Sequence, residues 1–129
     1  MLLYRRKLLA DRKLLGRWGE RRCEKFLKAK GLRKLARGFS CKTGEIDLVM
    51  VDTDGVIVFV EVKTRADESF AQAESVITPA KKSRLTRAAR YFLAIHDIDG
   101  RAFRFDVVAI VLGRTGREQI RHYENAFVP

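Results

Sequence analysis

Two apolar runs, Glu45 to Val51 and Val56 to Lys63, are joined through Asp52-Thr53-Asp54-Gly55. Apolar runs on either side of such a turn specify a β-hairpin. Asp47, Glu61 and Lys63 nevertheless stand inside those runs. A charge in a buried strand is costly unless it is paired or holds a metal. In the second run, Val56, Val58, Val60 and Val62 share one face, and Ile57, Phe59, Glu61 and Lys63 the other. Both faces are apolar until the run ends, the pattern of a central strand covered on both sides. Two carboxylates and a lysine placed this way across the two runs suit a site that holds a hard cation beside a phosphate.

Whether Asp47 joins Glu61 and Lys63 depends on the turn. A three-residue loop, Thr53-Asp54-Gly55, pairs Asp52 with Val56 and therefore Asp47 with Glu61, and directly opposed residues share a face. Gly55 then takes the left-handed position that such loops favour. A two-residue Asp54-Gly55 turn pairs Asp47 with Val62 and turns it away. A functional site requires the three-residue loop or a compensating bulge.

Residues 1–15 read as a basic arm or helix extension, and residues 16–129 as a single domain. From about Leu14 to Lys30 the pattern is helical, with Leu15, Trp18, Cys23, Phe26 and Leu27 near one stripe and Gly31 as its stop. Gly16 and Gly19 are expected to allow close approach to the sheet. Glu20 borders the apolar stripe and leans inward, unlike Glu24. Leu32 to Cys41 is a weak first strand with a kink at Gly38. Thr64 to Thr78 is a long connection. Thr78-Pro79 then opens a helix striped by Leu85, Ala88, Ala89, Phe92 and Leu93. Lys81 sits at the leading edge of that stripe, equally suited to reach a phosphate or to stay in solvent. Phe103 to Leu112 is a long strand in which Asp106 pairs with a basic neighbour, and Glu118 to Phe127 adds a short edge element. The order is α-β-β-β-α-β, an α/β design with a mixed sheet between helices.

The chain carries 27 Lys and Arg against 16 Asp and Glu. Residues 1–40 hold 14 of those bases and 3 of the acids, so the whole excess lies in the first third. A concentrated basic segment is the footprint of a polyanion. The longest stretch without a charge, Val107 to Gly113, is 7 residues and too short for a membrane span. With no signal-peptide core in Met1 to Ala10, a cytoplasmic protein is expected, with no membrane partner. Cys23 and Cys41 read as free thiols, and His96 and His122 as ordinary surface or half-buried histidines.

Asp47, thirteen residues, then Glu61-Val62-Lys63, behind a helix bearing Glu20, resembles the PD-(D/E)xK nuclease superfamily. More closely, the chain resembles the YraN-like family of predicted endonucleases. The matching words are Gly19-Glu20, Gly44-Glu45-Ile46-Asp47, Val58 to Lys63, Lys81 with Leu85 and Ala89, Arg104 to Val108, and Asn125-Ala126-Phe127. The match runs from about residue 16 to 127. It departs at Phe70-Ala71, where relatives are expected to read Phe-Gly.

The resemblance implies a restriction-endonuclease-like α/β core and a metal-dependent endonuclease acting on DNA, including branched or structured DNA. Asp47, Glu61 and the Val62 carbonyl would hold Mg²⁺ or Mn²⁺, with Glu20 completing the set directly or through water. Lys63 would orient the attacking water or offset developing charge. Lys81, with Arg17, Arg21, Lys42 and Arg65, would bind phosphates. Products would be a 5′-phosphate and a 3′-hydroxyl. Resolvases of this superfamily act as dimers, so a homodimer belongs to the same expectation. The rival reading is a nucleic-acid-binding module that keeps the fold without turnover. A third is a structural role, with the acids and lysine as a buried ion-pair cluster. The residues themselves do not choose between DNA and RNA.

Overall fold

The computed structural model describes residues 2–66, 77–113 and 115–129. Helices α1 (Leu2–Ala10) and α2 (Arg12–Ala29) precede strands β1 (Arg33–Cys41), β2 (Gly44–Val51) and β3 (Ile57–Arg65). Helix α3 (Pro79–Ile95) and strands β4 (Phe103–Val111) and β5 (Gln119–Phe127) follow. The strands form one sheet in the order β1-β2-β3-β4-β5. Neighbours run antiparallel except β3 and β4, which are parallel. A parallel pair needs a crossover, and α3 supplies it. The run from α2 to β4 is the expected α-β-β-β-α-β core. The tail is more than a short edge element: β5 is a nine-residue strand paired along β4.

Each face of the sheet buries its own core. On the α3 side, Val49, Val51, Ile57, Phe59 and Phe105 pack against Leu85, Ala88, Ala89, Phe92 and Leu93. On the α2 side, Leu48, Met50, Val58, Val60, Val108 and Ile110 pack against Cys23 and Leu27. Burying a side chain of this size contributes roughly 1.5–3 kcal/mol, so these two clusters carry the fold. They also explain why β3 is apolar on both faces. Cys23 and Cys41 are both free thiols. Among the described residues, no helix is long and apolar enough to cross a membrane.

The basic N-terminal segment forms α1 and the first turn of α2. Asp11 caps α2, accepting the N–H groups of Lys13 and Leu14 at 3.0 and 3.2 Å, so the helix begins before the expected Leu14. Leu8 of α1 is 2% exposed and packs with Leu15 and Leu112. The two α2 glycines behave differently. A Cβ on Gly19 would lie 1.9 Å from the Thr64 hydroxyl, so α2 sits on β3 at a distance only glycine permits. A Cβ on Gly16 would meet nothing within 4 Å, so close approach does not explain that glycine.

One residue differs from its expected setting. Glu24 is buried rather than outward, held by Arg37, by Lys28 at 2.6 Å and by Lys34 at 3.8 Å. His122 is half-buried, and its Nε2 lies 2.7 Å from Asp106. Asp106 is structural as expected, since it also accepts Arg104 Nε at 3.0 Å and the Asn125 N–H at 3.0 Å.

Candidate active site

The hairpin loop decides the position of Asp47. Val51 pairs with Ile57, and Leu48 with Val60, which leaves the three-residue loop Thr53-Asp54-Gly55. Asp52 donates its N–H to the Val56 carbonyl at 3.0 Å, and Gly55 has φ +84°. The Asp52 side chain accepts the N–H groups of Asp54 and Val56, both at 2.9 Å, which fixes the loop. In this register Asp47 stands opposite Glu61, but the β2–β3 ladder ends one pair earlier, at Leu48 and Val60.

A change of face at the same level turns Asp47 into the gap. Leu48 packs on the α2 side, whereas Ile46, two residues away, packs on the α3 side. Strict alternation would put both on one side. The same reversal occurs next door in β1. Arg37 reaches Glu24 of α2, while Phe39 packs on the α3 side, and Gly38 between them has φ +64°. β2 and β3 therefore fork, with Asp47 at the apex. Its Oδ2 accepts the Val62 N–H at 2.8 Å, closing the fork with a side chain where the backbone ladder has stopped.

Asp47 and Glu61 meet in this fork. Burial first, and then the hydrogen bond and negative charge of Glu61, push the Asp47 carboxyl up to about 8, against the help of the Val62 N–H. Burial also disfavours ionised Glu61, but Asp47 and the ammonium groups of Lys81 and Lys63 outweigh it and hold its pKa down. These surroundings favour a proton on Asp47 and the charge on Glu61. Glu61 Oε2 lies 2.5 Å from Lys81 Nζ and 3.8 Å from Lys63 Nζ. That oxygen is buried and has no partner in hydrogen-bonding geometry. Burial and the neighbouring Lys81 lower the Lys63 pKa.

Lys81 is placed by the α3 cap. Thr78 Oγ1 accepts the Lys81 N–H at 3.2 Å and Pro79 occupies the first turn. The side chain is half-buried and neutralises Glu61. Arg84, three residues on, joins Lys81, Asp47 and Glu61 around a cavity of about 290 Å³. Arg84 was not singled out in the sequence, although i,i+3 spacing from Lys81 puts both on one helix face.

Glu20 takes a different wall. It lines a cavity with Val62 and Thr64, on the α2 side of β3. Burial raises its pKa, Arg37 opposes this, and the charges of Glu45 and Glu61 add to it. Glu20 is therefore within electrostatic reach of the pair without joining it. Among the described residues, no three Asp, Glu, His or Cys side chains lie together as a metal cluster. Glu20 is not a direct third ligand in this arrangement. Arg17, Arg21 and Lys42 are exposed, the first two on α2 and the last in the β1–β2 turn. Arg65 is half-buried and donates to the Thr64 carbonyl at 3.1 Å. Phe70-Ala71 lies outside the described residues.

The donor set suits a hard cation. Two carboxylates converge, and their mutual repulsion is relieved by a proton and by the ammonium groups of Lys81 and Lys63, the former 2.5 Å from the buried Glu61 Oε2. A divalent cation bound by oxygens would relieve it equally well.

The model of a family described as uncharacterised protein family UPF0102 matches residues 19–110. A UPF0102 protein of Pelotomaculum thermopropionicum is 46% identical over 121 residues, 92% of this chain and 100% of the relative. One from Ralstonia nicotianae is 50% identical over 98 residues, 74% of this chain and 75% of the relative. Among solved structures, a repair endonuclease from Pyrococcus abyssi aligns at 24% identity and a TM-score of 0.34. That alignment covers 61% of this chain and spans 29% of the endonuclease. An EndoMS–dsDNA complex aligns at 24% identity and a TM-score of 0.31, over 58% of this chain and 26% of that one.

Proposed function

The chain belongs to the uncharacterised protein family UPF0102, the YraN-like family, and from that premise we propose that it is a divalent-cation-dependent endonuclease acting on DNA. The observation that carries this reading is the half-buried Asp47–Glu61 pair at the fork of β2 and β3, with Lys63 and Lys81 against it. A fold does not require two repelling carboxyls at the end of its central strand, and such perturbed groups cluster at functional sites.

Asp47, Glu61 and the Val62 carbonyl would hold Mg²⁺ or Mn²⁺, with Glu20 reaching the ion through water. Bound there, the ion would polarise the scissile phosphate and lower the pKa of an attacking water. Val62 keeps Asp47 aimed into the fork through its N–H. Lys63, its pKa lowered by burial, would orient the water or offset charge on the phosphate. Lys81, once released from Glu61, reaches a phosphate oxygen together with Arg84. Arg17, Arg21, Lys42 and Arg65 hold flanking phosphates by charge, with no base-reading motif among them. A 5′-phosphate and a 3′-hydroxyl are the expected ends.

One contact favours a second reading. The Lys81 ammonium already neutralises Glu61 at 2.5 Å, as a self-sufficient ion-pair cluster would have it. The chain would then bind nucleic acid without cutting it. Incubation with linear, nicked and four-way DNA, with Mg²⁺ or Mn²⁺ and then EDTA, separates the two. The nuclease reading expects metal-dependent cutting that Glu61→Ala and Lys63→Ala abolish while most binding survives. Salt-sensitive binding without cutting, across all substrates and both metals, favours the second.

A further inference from the structure

Helix α3 carries five bases, Lys81, Lys82, Arg84, Arg87 and Arg90, and no acid in 17 residues. Such a helix works against its own stability. Bases in the first turns oppose the helix dipole, and like charges three or four residues apart repel. Two of the five are answered: Lys81 lies on Glu61, and Lys82 stands over the Phe127 ring at 5.8 Å. Arg84, Arg87 and Arg90 are exposed, and among the described residues no acid forms an ion pair with them. Helix α2 is different: Asp11 caps it, Glu24 pairs with Lys28 one turn on, and Arg22 pairs with Glu118.

Arg84, Arg87 and Tyr91 are spaced three and four residues apart, so they form one row along the helix. The row starts at the carboxylates, because Arg84 lines the same cavity as Asp47 and Glu61. An added Cβ on Gly44 would meet the Arg84 Cβ at 3.6 Å, which brings the turn bearing Lys42 to the same point. The row ends on Tyr91, which is 51% exposed, with its ring 6.3 Å from that of Phe39 on β1. From Arg84 to Tyr91 the helix rises about 10 Å, the axial length of roughly three phosphates on one strand. We propose that this row is a rail for one DNA strand, with Arg84 and Arg87 on successive phosphates leading away from the cavity and Tyr91 against a sugar. The rail deepens the nuclease reading and rests on it for the identity of the phosphate at the cavity, while the binding itself needs no catalysis. Arginine and tyrosine in this role position a backbone without reading its sequence. The rail lies across the sheet from α1 and α2, so the basic first third of the chain does not supply it.

The salt dependence of binding supplies the test. Affinity of the full chain for a short labelled DNA duplex is measured by anisotropy in EDTA, from about 50 to 200 mM KCl. Each lost phosphate contact lowers the slope of log affinity against log salt by about 0.9. Arg87→Gln should show that loss, and the Arg84→Gln, Arg87→Gln double variant roughly 1.8. Tyr91→Ala should weaken binding about threefold or more through lost apolar contact, with the slope unchanged because an uncharged group releases no counterion. Arg117→Gln is the charge control. It removes an exposed base from the β4–β5 loop, which Arg5 holds against α1, and should leave slope and affinity as they are. An unchanged slope in Arg87→Gln, an equal fall in Arg117→Gln, or wild-type affinity in Tyr91→Ala overturns the proposal. A parallel arm with Mg²⁺ keeps the two claims apart. A reduced slope in Arg87→Gln without cutting by the wild-type chain counts against the nuclease reading alone. Cutting by the wild-type chain with an unchanged slope in Arg87→Gln counts against the rail alone.

Discussion

Asp47 Oδ2 accepts the Val62 N–H at 2.8 Å, so a side chain takes over the β2–β3 pairing where the backbone ladder stops. The bond fixes Asp47 beside Glu61 and aims both carboxyls into the same gap. Its cost lies in their repulsion. Between the ordinary Asp value of 3.8 and its folded value of about 8, Asp47 keeps a proton that the unfolded chain has lost. Stability in this window therefore falls as pH rises. Asp47→Asn keeps an acceptor for Val62 and donates to Glu61 without the charge. It should raise stability at pH 8 by at least about 1.4 kcal/mol, the equivalent of one pK unit, with little change at pH 4. Urea melts of both proteins at the two pH values check this. The same variant should lose metal-dependent activity.

Glu24 has the opposite sign. Burial disfavours its charge, but hydrogen bonds from Arg37 and Lys28 overcome that and hold it down to about 2. Its contribution is present above the ordinary value of 4.5 and is lost as pH falls toward 2. Glu24→Gln should cost about 1–3 kcal/mol at pH 7 and flatten the acid limb of the stability profile. Denaturant melts at pH 7 and pH 3 provide the comparison.

The Asp106 side chain is fully buried and answers three partners: Arg104, His122 and the Asn125 N–H. Removing it leaves the His122 imidazole and the Asn125 N–H without this acceptor and the Arg104 guanidinium with Asp52, 3.1 Å away. Asp106→Ala should cost about 3–5 kcal/mol, the usual loss when one partner of a buried pair is deleted. Thermal unfolding measures it. Nucleic-acid affinity of the folded fraction should be unchanged, since Asp106 belongs to the β4–β5 side of the sheet.

Gly19→Ala tests how α2 is held against β3. The added methyl would lie 1.9 Å from the Thr64 hydroxyl and force the helix or the strand to shift. Overpacking of this kind costs about 1–3 kcal/mol. Because Glu20 follows Gly19 directly, activity should fall by more than the stability loss explains. Activity measured well below the melting point separates the two effects.

The hairpin was legible because its loop chemistry is local, though two registers stayed open; Val51 opposite Ile57, with Gly55 left-handed, is the one that opposes Asp47 and Glu61. The α2 and α3 stripes were legible for the same reason, since helical spacing alone sets their buried faces. The fork was not. It needs Ile46 and Leu48 on opposite faces, and the cause, a left-handed Gly38, lies on the neighbouring strand. Glu24 misled because its partner Arg37 comes from β1, thirteen residues away. Lys81 could be placed on its helix, but its choice of Glu61 over solvent depends on how α3 crosses the sheet.

The central claim is that Asp47 and Glu61 together form a divalent-cation site, and Mn²⁺ titration of the metal-free protein by calorimetry tests it most directly. The account predicts one saturable site that Glu61→Gln and Asp47→Asn each remove. Since Asp47 must give up its proton to bind, affinity should rise by up to tenfold between pH 6 and pH 7, with proton release. Absence of saturable binding at millimolar Mn²⁺, or binding that either variant leaves intact, would contradict it.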